Sequence, residues 1–142
     1  MPPRVYPLLA TNVMYTLGTM PCRITRAEFQ SQAEAALKTL PANFKKRLKN
    51  ISIVIEDYPS RADAASVGVS RHQLLGLFSG GGYPQKDLVS VLASLPDRVV
   101  LYQKNIERHC ATKEELREEI RNTLLHEIGH YFGMSEEELE DF

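Results

Sequence analysis

The chain has 142 residues, enough for one domain with a single modest core. Hydrophobic residues make up 43% and charged residues 25%, a balance that excludes an intrinsically disordered polymer. A net charge of −1 provides no field that would draw the chain to nucleic acid or an acidic membrane, and its two cysteines, Cys22 and Cys110, are too few for a disulfide framework and read as reduced thiols.

In chain order, the first segment is "MPPRVYPLLATNVMYTLGTMPCRI". Its apolar run from Leu8 to Met20 is broken by Thr, Asn, Tyr and Gly, and a membrane span needs roughly 20 apolar residues. No A-x-A site follows it, so it does not read as a secretory signal, and a cytoplasmic location is expected. Residues 1–20 are expected to be a poorly packed extension, with Met20 an alternative start, and residues 21–142 the domain proper. "TRAE" at Thr25–Glu28 has capping-box spacing. Phe29, Ala33, Ala36, Leu37 and Leu40 then recur at helical spacing up to Pro41, which ends the helix. A short helix over Asn43–Leu48 would turn Phe44 and Leu48 inward, with "KKRLK" as its solvated face. The β-branched "ISIVIEDY" at 51–58 reads as a strand, followed by a loop rich in Ala, Ser and Gly and by a second strand, "LLGLFS", at 74–79. "GGGYPQKD" lacks the Gly-Lys-Ser/Thr run of a phosphate loop and reads as a flexible connection. "RVVLYQ" at 98–103 is a third strand and "NIERHC" a short helical or turn segment. "TKEE" at Thr112–Glu115 repeats the capping box and opens a long helix through Phe132. Helices, then strands, then a helix make an α+β domain with a small mixed or antiparallel sheet.

The long helix contains "HEIGHYFG" at 126–133. Positions four apart lie one turn apart, so His126 and His130 share a face and can chelate one cation through their imidazoles. Glu127 sits about 100° round from His126, within reach of a water on that cation. Two imidazoles, an open position and an adjacent carboxylate are what metal-assisted hydrolysis requires: Zn²⁺ lowers the pKa of its water to about 7 and the carboxylate takes the proton. A stripe of Leu116, Ile120, Leu124 and Ile128 runs beside this face, so a charge at Glu127 borders the core, where it needs a partner.

A catalytic zinc takes three protein ligands. A Glu some twenty residues downstream, one known solution, has no room in a sequence that stops nine residues after Gly133. The other solution turns at a Gly and brings back the residue six positions after the second His. Gly133 stands where that left-handed turn is needed, and the sixth position is Glu136, with Glu137 the fallback one residue away. Ser135 and Glu138 form a further capping box, so a short last helix is expected to start there.

From Ile24 to the C-terminus the chain resembles the small bacterial zincin-like metallopeptidases, sometimes called minimal zincins. The likeness rests on "LPANFKKRLKNISIVIEDYP", "LLGLFSG", "LPDRVVLYQKNIE" and "ELREEIRNTLLHEIGHYFGMSEEELE", in that order. It implies a compact zincin-like fold, one Zn²⁺ held by His126 and His130, Glu127 as general base, and an acidic third ligand falling on Glu136. Members typically begin just before the first helix, in line with an extra segment at 1–20. Many members have a second consecutive His where this chain has Tyr131, and Met134 precedes Glu136 rather than forming a methionine turn. The expected activity is zinc-dependent hydrolysis of a peptide or protein, with an extended peptide added to a sheet edge. "RVVLYQ" is the first candidate for that edge and "LLGLFS" the second. Arg98, Tyr102 and Tyr131 are the candidates for contact with substrate and its developing oxyanion. His72 and His109 read as solvated turn residues. The rival readings are a non-catalytic metal protein that binds a partner in the same groove, a closed structural zinc site, and a zinc endoribonuclease, which lacks a third His here. Neither nucleic acid nor membrane is an expected partner.

Overall fold

The structure, a computed structural model, describes residues 8–9, 21–47, 51–79, 97–134 and 137–138. In chain order these form β1 (Leu8–Leu9), α1 (Arg26–Lys38), α2 (Ala42–Arg47), β2 (Ile51–Glu56), α3 (Arg61–Ser66), β3 (Leu74–Ser79), β4 (Asp97–Tyr102), α4 (Gln103–Glu107) and α5 (Lys113–Tyr131). The class is α+β, as expected. The sheet is mixed, in the order β1-β3-β4-β2, with β2 and β4 parallel and the pairs β1–β3 and β3–β4 antiparallel.

Both long helices start where their capping residues stand. The Thr25 hydroxyl accepts from the Glu28 N–H at 3.1 Å, and the Thr112 hydroxyl from the Glu115 N–H at 3.1 Å, satisfying donors that a helix start leaves open. The Glu115 carboxylate reaches one residue further back than a capping box requires, to the Ala111 N–H at 2.8 Å. Phe29, Ala33 and Ala36 of α1, with Leu40 and Phe44, pack against the Leu116, Ile120, Leu124 and Ile128 stripe of α5 in one buried cluster. That cluster takes Leu75 and Phe78 of β3 and Val99 and Leu101 of β4 on its sheet side. The opposite sheet face holds a second, smaller cluster of Leu74, Val100 and Tyr102.

Two polar side chains of α4 fasten the segment before α1. The Glu107 carboxylate accepts the Ile24 N–H at 2.9 Å, the Gln103 amide donates to the Ile24 carbonyl at 2.9 Å, and Gln103 donates to Glu107 at 3.3 Å. Beside them the Cys22 N–H donates to the Cys110 carbonyl at 2.6 Å. Both cysteines are free thiols, and burial pushes the Cys110 thiol up to about 12.

Four expectations change. The stretch expected as a plain loop after β2 contains α3, capped by the Ser60 hydroxyl accepting from the Asp63 N–H at 3.0 Å. β4 is an interior strand, paired with β2 and β3, and β3 lies between β1 and β4, so neither candidate for an open edge is one. His109 is half-buried rather than solvated, and burial lowers its imidazole pKa, helped by Arg108. Within the segment expected as an extension, Leu8–Leu9 pairs with β3, Leu8 opposite Gly76 and Leu9 opposite Leu74. The glycine-rich connection "GGGYPQKD", Leu48, and the rest of residues 1–20 lie outside the described residues. Among the described residues no helix is long and apolar enough to cross a membrane.

Candidate metal centre

The last two turns of α5 place His126 and His130 on one face, ring centroids 5.9 Å apart and ring planes at 83°. Nδ1 of His126 lies 2.8 Å from the carbonyl of Asn122, one turn back. A carbonyl only accepts, so Nδ1 carries the proton and the lone pair sits on Nε2, the tautomer a ligating histidine needs. The donor set therefore fits a soft-to-borderline divalent cation such as Zn²⁺ as far as two imidazoles go. Glu136 lies outside the described residues, and among those described no three His, Cys, Asp or Glu side chains gather at one point. Glu137 and Glu138 are helical and exposed.

Glu127 is the most constrained charge in the site. Its side chain is 0% exposed, and Oε2 accepts the Phe78 N–H of β3 at 3.2 Å. A buried carboxylate needs such a donor, because desolvation without one costs several kcal/mol, on the order of 2–7 even for a neutral polar group. The contact exists because β3 comes very close to α5 at Gly76. A Cβ there would meet Thr123 Cγ2 at 3.0 Å, the Val100 carbonyl oxygen at 3.2 Å and Glu127 Cγ at 3.4 Å. Thr123 turns its methyl to the strand because its hydroxyl is occupied, donating to the Glu119 carbonyl at 2.7 Å. Gly76 was not among the expected site residues. An isolated Gly within an apolar strand, as in "LLGLFS", is the signal for close backbone approach.

After Tyr131 the helix ends as its glycine predicts. Gly133 has φ +80°, its N–H bonds the His130 carbonyl at 2.9 Å, and the Met134 N–H reaches the Gly129 carbonyl at 2.9 Å. These two bonds define a Schellman motif, which turns the chain sharply away from the helix axis just beyond His130. A cavity of about 490 Å³ opens there between α2 and the turn, lined by Phe44, Lys46, Phe132 and Met134 among others.

Arg98 and Tyr102 are not brought to the histidines. Alternate residues of a strand share a face, and Val99 and Leu101 occupy the α5 side, so Arg98, Val100 and Tyr102 point to the other. Tyr102 is fully buried there, and its phenol is raised well above the ordinary range by burial, then by Asp63 and Glu56. Tyr131 ends α5, and its side chain is outside the described residues. On α5 itself, burial raises the Glu119 carboxyl, with His126 pulling the other way.

A model of the zincin-like metallopeptidase family matches residues 48–142, the span from just before β2 to the C-terminus. No curated protein matches the chain. Among solved structures, a conserved hypothetical protein from Thermo thermophilus superposes with a TM-score of 0.54 at 20% identity, over 77% of this chain and 94% of that one. At that identity the likeness is one of fold.

Proposed function

The chain belongs to the zincin-like metallopeptidase family, and from that premise we propose that it is a zinc-dependent peptidase in which Glu127 is the general base. The observation that supports this best is the buried Glu127 carboxylate, held by the Phe78 N–H between α5 and β3 and one helix position from His126. His126 and His130 would hold the ion with Glu136 as third ligand, Glu137 being the alternative. Zinc bound there supplies Lewis-acid polarisation of a peptide carbonyl and of the attacking water. Glu127 takes that water's proton on its carboxylate and hands it to the leaving nitrogen, and the Phe78 N–H keeps the carboxylate from rotating away. The peptide lies extended along the side of β3 away from β4, next to Phe78 and Glu127, the side on which Leu8–Leu9 also pairs. The cavity between α2 and the Gly133 turn seats a side chain of that peptide.

The test is zinc stoichiometry and cleavage of a casein-derived peptide pool by wild type, Glu127→Gln and Glu136→Ala. Wild type should bind one zinc and cleave. Glu127→Gln should keep the zinc while losing about 10²–10⁴-fold in turnover, the usual worth of a general base. Glu136→Ala should lose the zinc. Stoichiometric zinc with no cleavage by any of the three would replace the peptidase reading by a binding role for the same groove.

A further inference from the structure

The outer side of β3 is already occupied by the chain itself. Leu8 and Leu9 pair antiparallel with Gly76 and Leu74, and the Phe78 N–H two residues further on is taken by Glu127. β1 also lies against α5. The register slips by one residue between Leu8 and Leu9, one step there spanning two on β3, from Gly76 to Leu74. Leu75, the residue skipped, and Gly76 both face α5, where regular alternation would part them. Gly76, opposite Leu8, is the residue where an added Cβ would meet Thr123 at 3.0 Å and Glu127 at 3.4 Å. Paired strands sit about 4.8 Å apart, which puts the Leu8 backbone one strand spacing from the residue that touches the general base. An extended peptide joining β3 beside Glu127 needs that same row of backbone groups.

We infer that Leu8–Leu9 is an intramolecular strand seated in the peptide-docking edge of β3, so that a peptide binds only by displacing it. This rests on the docking edge proposed above. Leu8 and Leu9 lie outside residues 48–142, the part that the family model matches. Their neighbours suit a strand that must leave as well as bind. Pro7 stands immediately before it and Asn12 three residues after Leu9, both residue types that strands disfavour.

The experiment uses the full chain, as wild type and with Leu8→Pro and Leu9→Pro together, which removes both backbone donors. The probe is a labelled synthetic peptide of residues 4–13, RVYPLLATNV, with a scrambled peptide as control. A strand seated in about nine of ten molecules weakens a competing peptide about tenfold. The proline chain should therefore bind RVYPLLATNV about tenfold or more tightly than wild type does, and the scrambled peptide no better. Amide exchange across Leu74–Gly76 should quicken in the proline chain and slow again when the peptide binds. Should the proline chain melt early, Leu8→Gly with Leu9→Gly should give the same order with smaller steps. Equal peptide affinity in both chains, or unchanged exchange at Leu74–Gly76, overturns the inference. Zinc-dependent casein cleavage, followed in parallel, separates it from the peptidase reading. Tighter binding with no cleavage in either chain supports the strand and removes the peptidase. Cleavage with equal peptide affinity does the reverse.

Discussion

The two faces of the sheet each bury a polar group, and they treat it differently. On the α5 side the Glu127 carboxylate is 0% exposed and meets the Phe78 N–H. On the far side the Tyr102 hydroxyl is equally buried, in a cluster with Leu74 and Val100, and finds no hydrogen-bond partner among the described residues. A hydroxyl stranded in this way costs about 1–3 kcal/mol, which a domain tolerates. A stranded carboxylate costs far more, so a charge is kept only where the fold brings a donor to it. The donor at Phe78 depends on the close approach at Gly76. The comparison therefore sets the α5 face, where the proposed chemistry lies, apart from the far face, where Tyr102 is only packed.

That division can be broken at several points. Gly76→Ala should have the largest effect on folding, a loss of about 2 kcal/mol in urea denaturation, because the new methyl presses on a backbone carbonyl as well as on Thr123. A neutral result would mean that β3 does not rest on α5 as closely as the division requires. Tyr102→Phe should go the other way and stabilise by about 1 kcal/mol in the same measurement, since it deletes an unmet donor. A loss there would show the hydroxyl to be partnered and the far face to be more than packing.

A pH series sharpens the boundary on α5. Burial raises the Glu119 carboxyl above its ordinary value of 4.5, so the folded chain holds a proton that the unfolded chain has already released. Stability from this source is complete below that ordinary value and is lost as pH rises through the folded one. Glu119→Gln should therefore raise the melting temperature by about 2 °C at pH 7 and by nothing measurable near pH 4. The smallest effect is expected at Arg98, exposed on the far face. Arg98→Ala should stay within about 0.5 kcal/mol of wild type, with zinc content and cleavage unchanged. A tenfold loss of turnover would return Arg98 to the site.

What the sequence revealed follows how local each feature is. The Thr25 and Thr112 caps, the Gly133 turn and the span of β3 depend on neighbouring residues, and they stand as read. The facing of β4 was hidden because Val99, Val100 and Leu101 are all apolar, so a period of two leaves no mark. Its interior position is a matter of strand order, which no window of sequence contains. α3 was missed because six Ala- and Ser-rich residues resemble a loop, although Ser60 three before Asp63 is a readable cap. At the candidate metal centre, the shared face of His126 and His130 follows from spacing alone. The donor that holds Glu127 comes from a strand 49 residues earlier, and only the isolated Gly76 hinted at it.

The Gln103–Glu107 grip on Ile24 joins residues 79 and 83 positions apart. A still longer separation governs α1, whose buried Phe29 packs in the cluster built on Leu116 to Ile128. During synthesis at about 5–20 residues per second, α1 therefore emerges some 4–20 seconds before the surface that buries it. Contacts this distant in sequence also slow folding in a finished chain, because the loop must close before any of them forms. Through that interval the apolar side of α1 is exposed, which makes the newborn first third of the chain the part most in need of a holding chaperone.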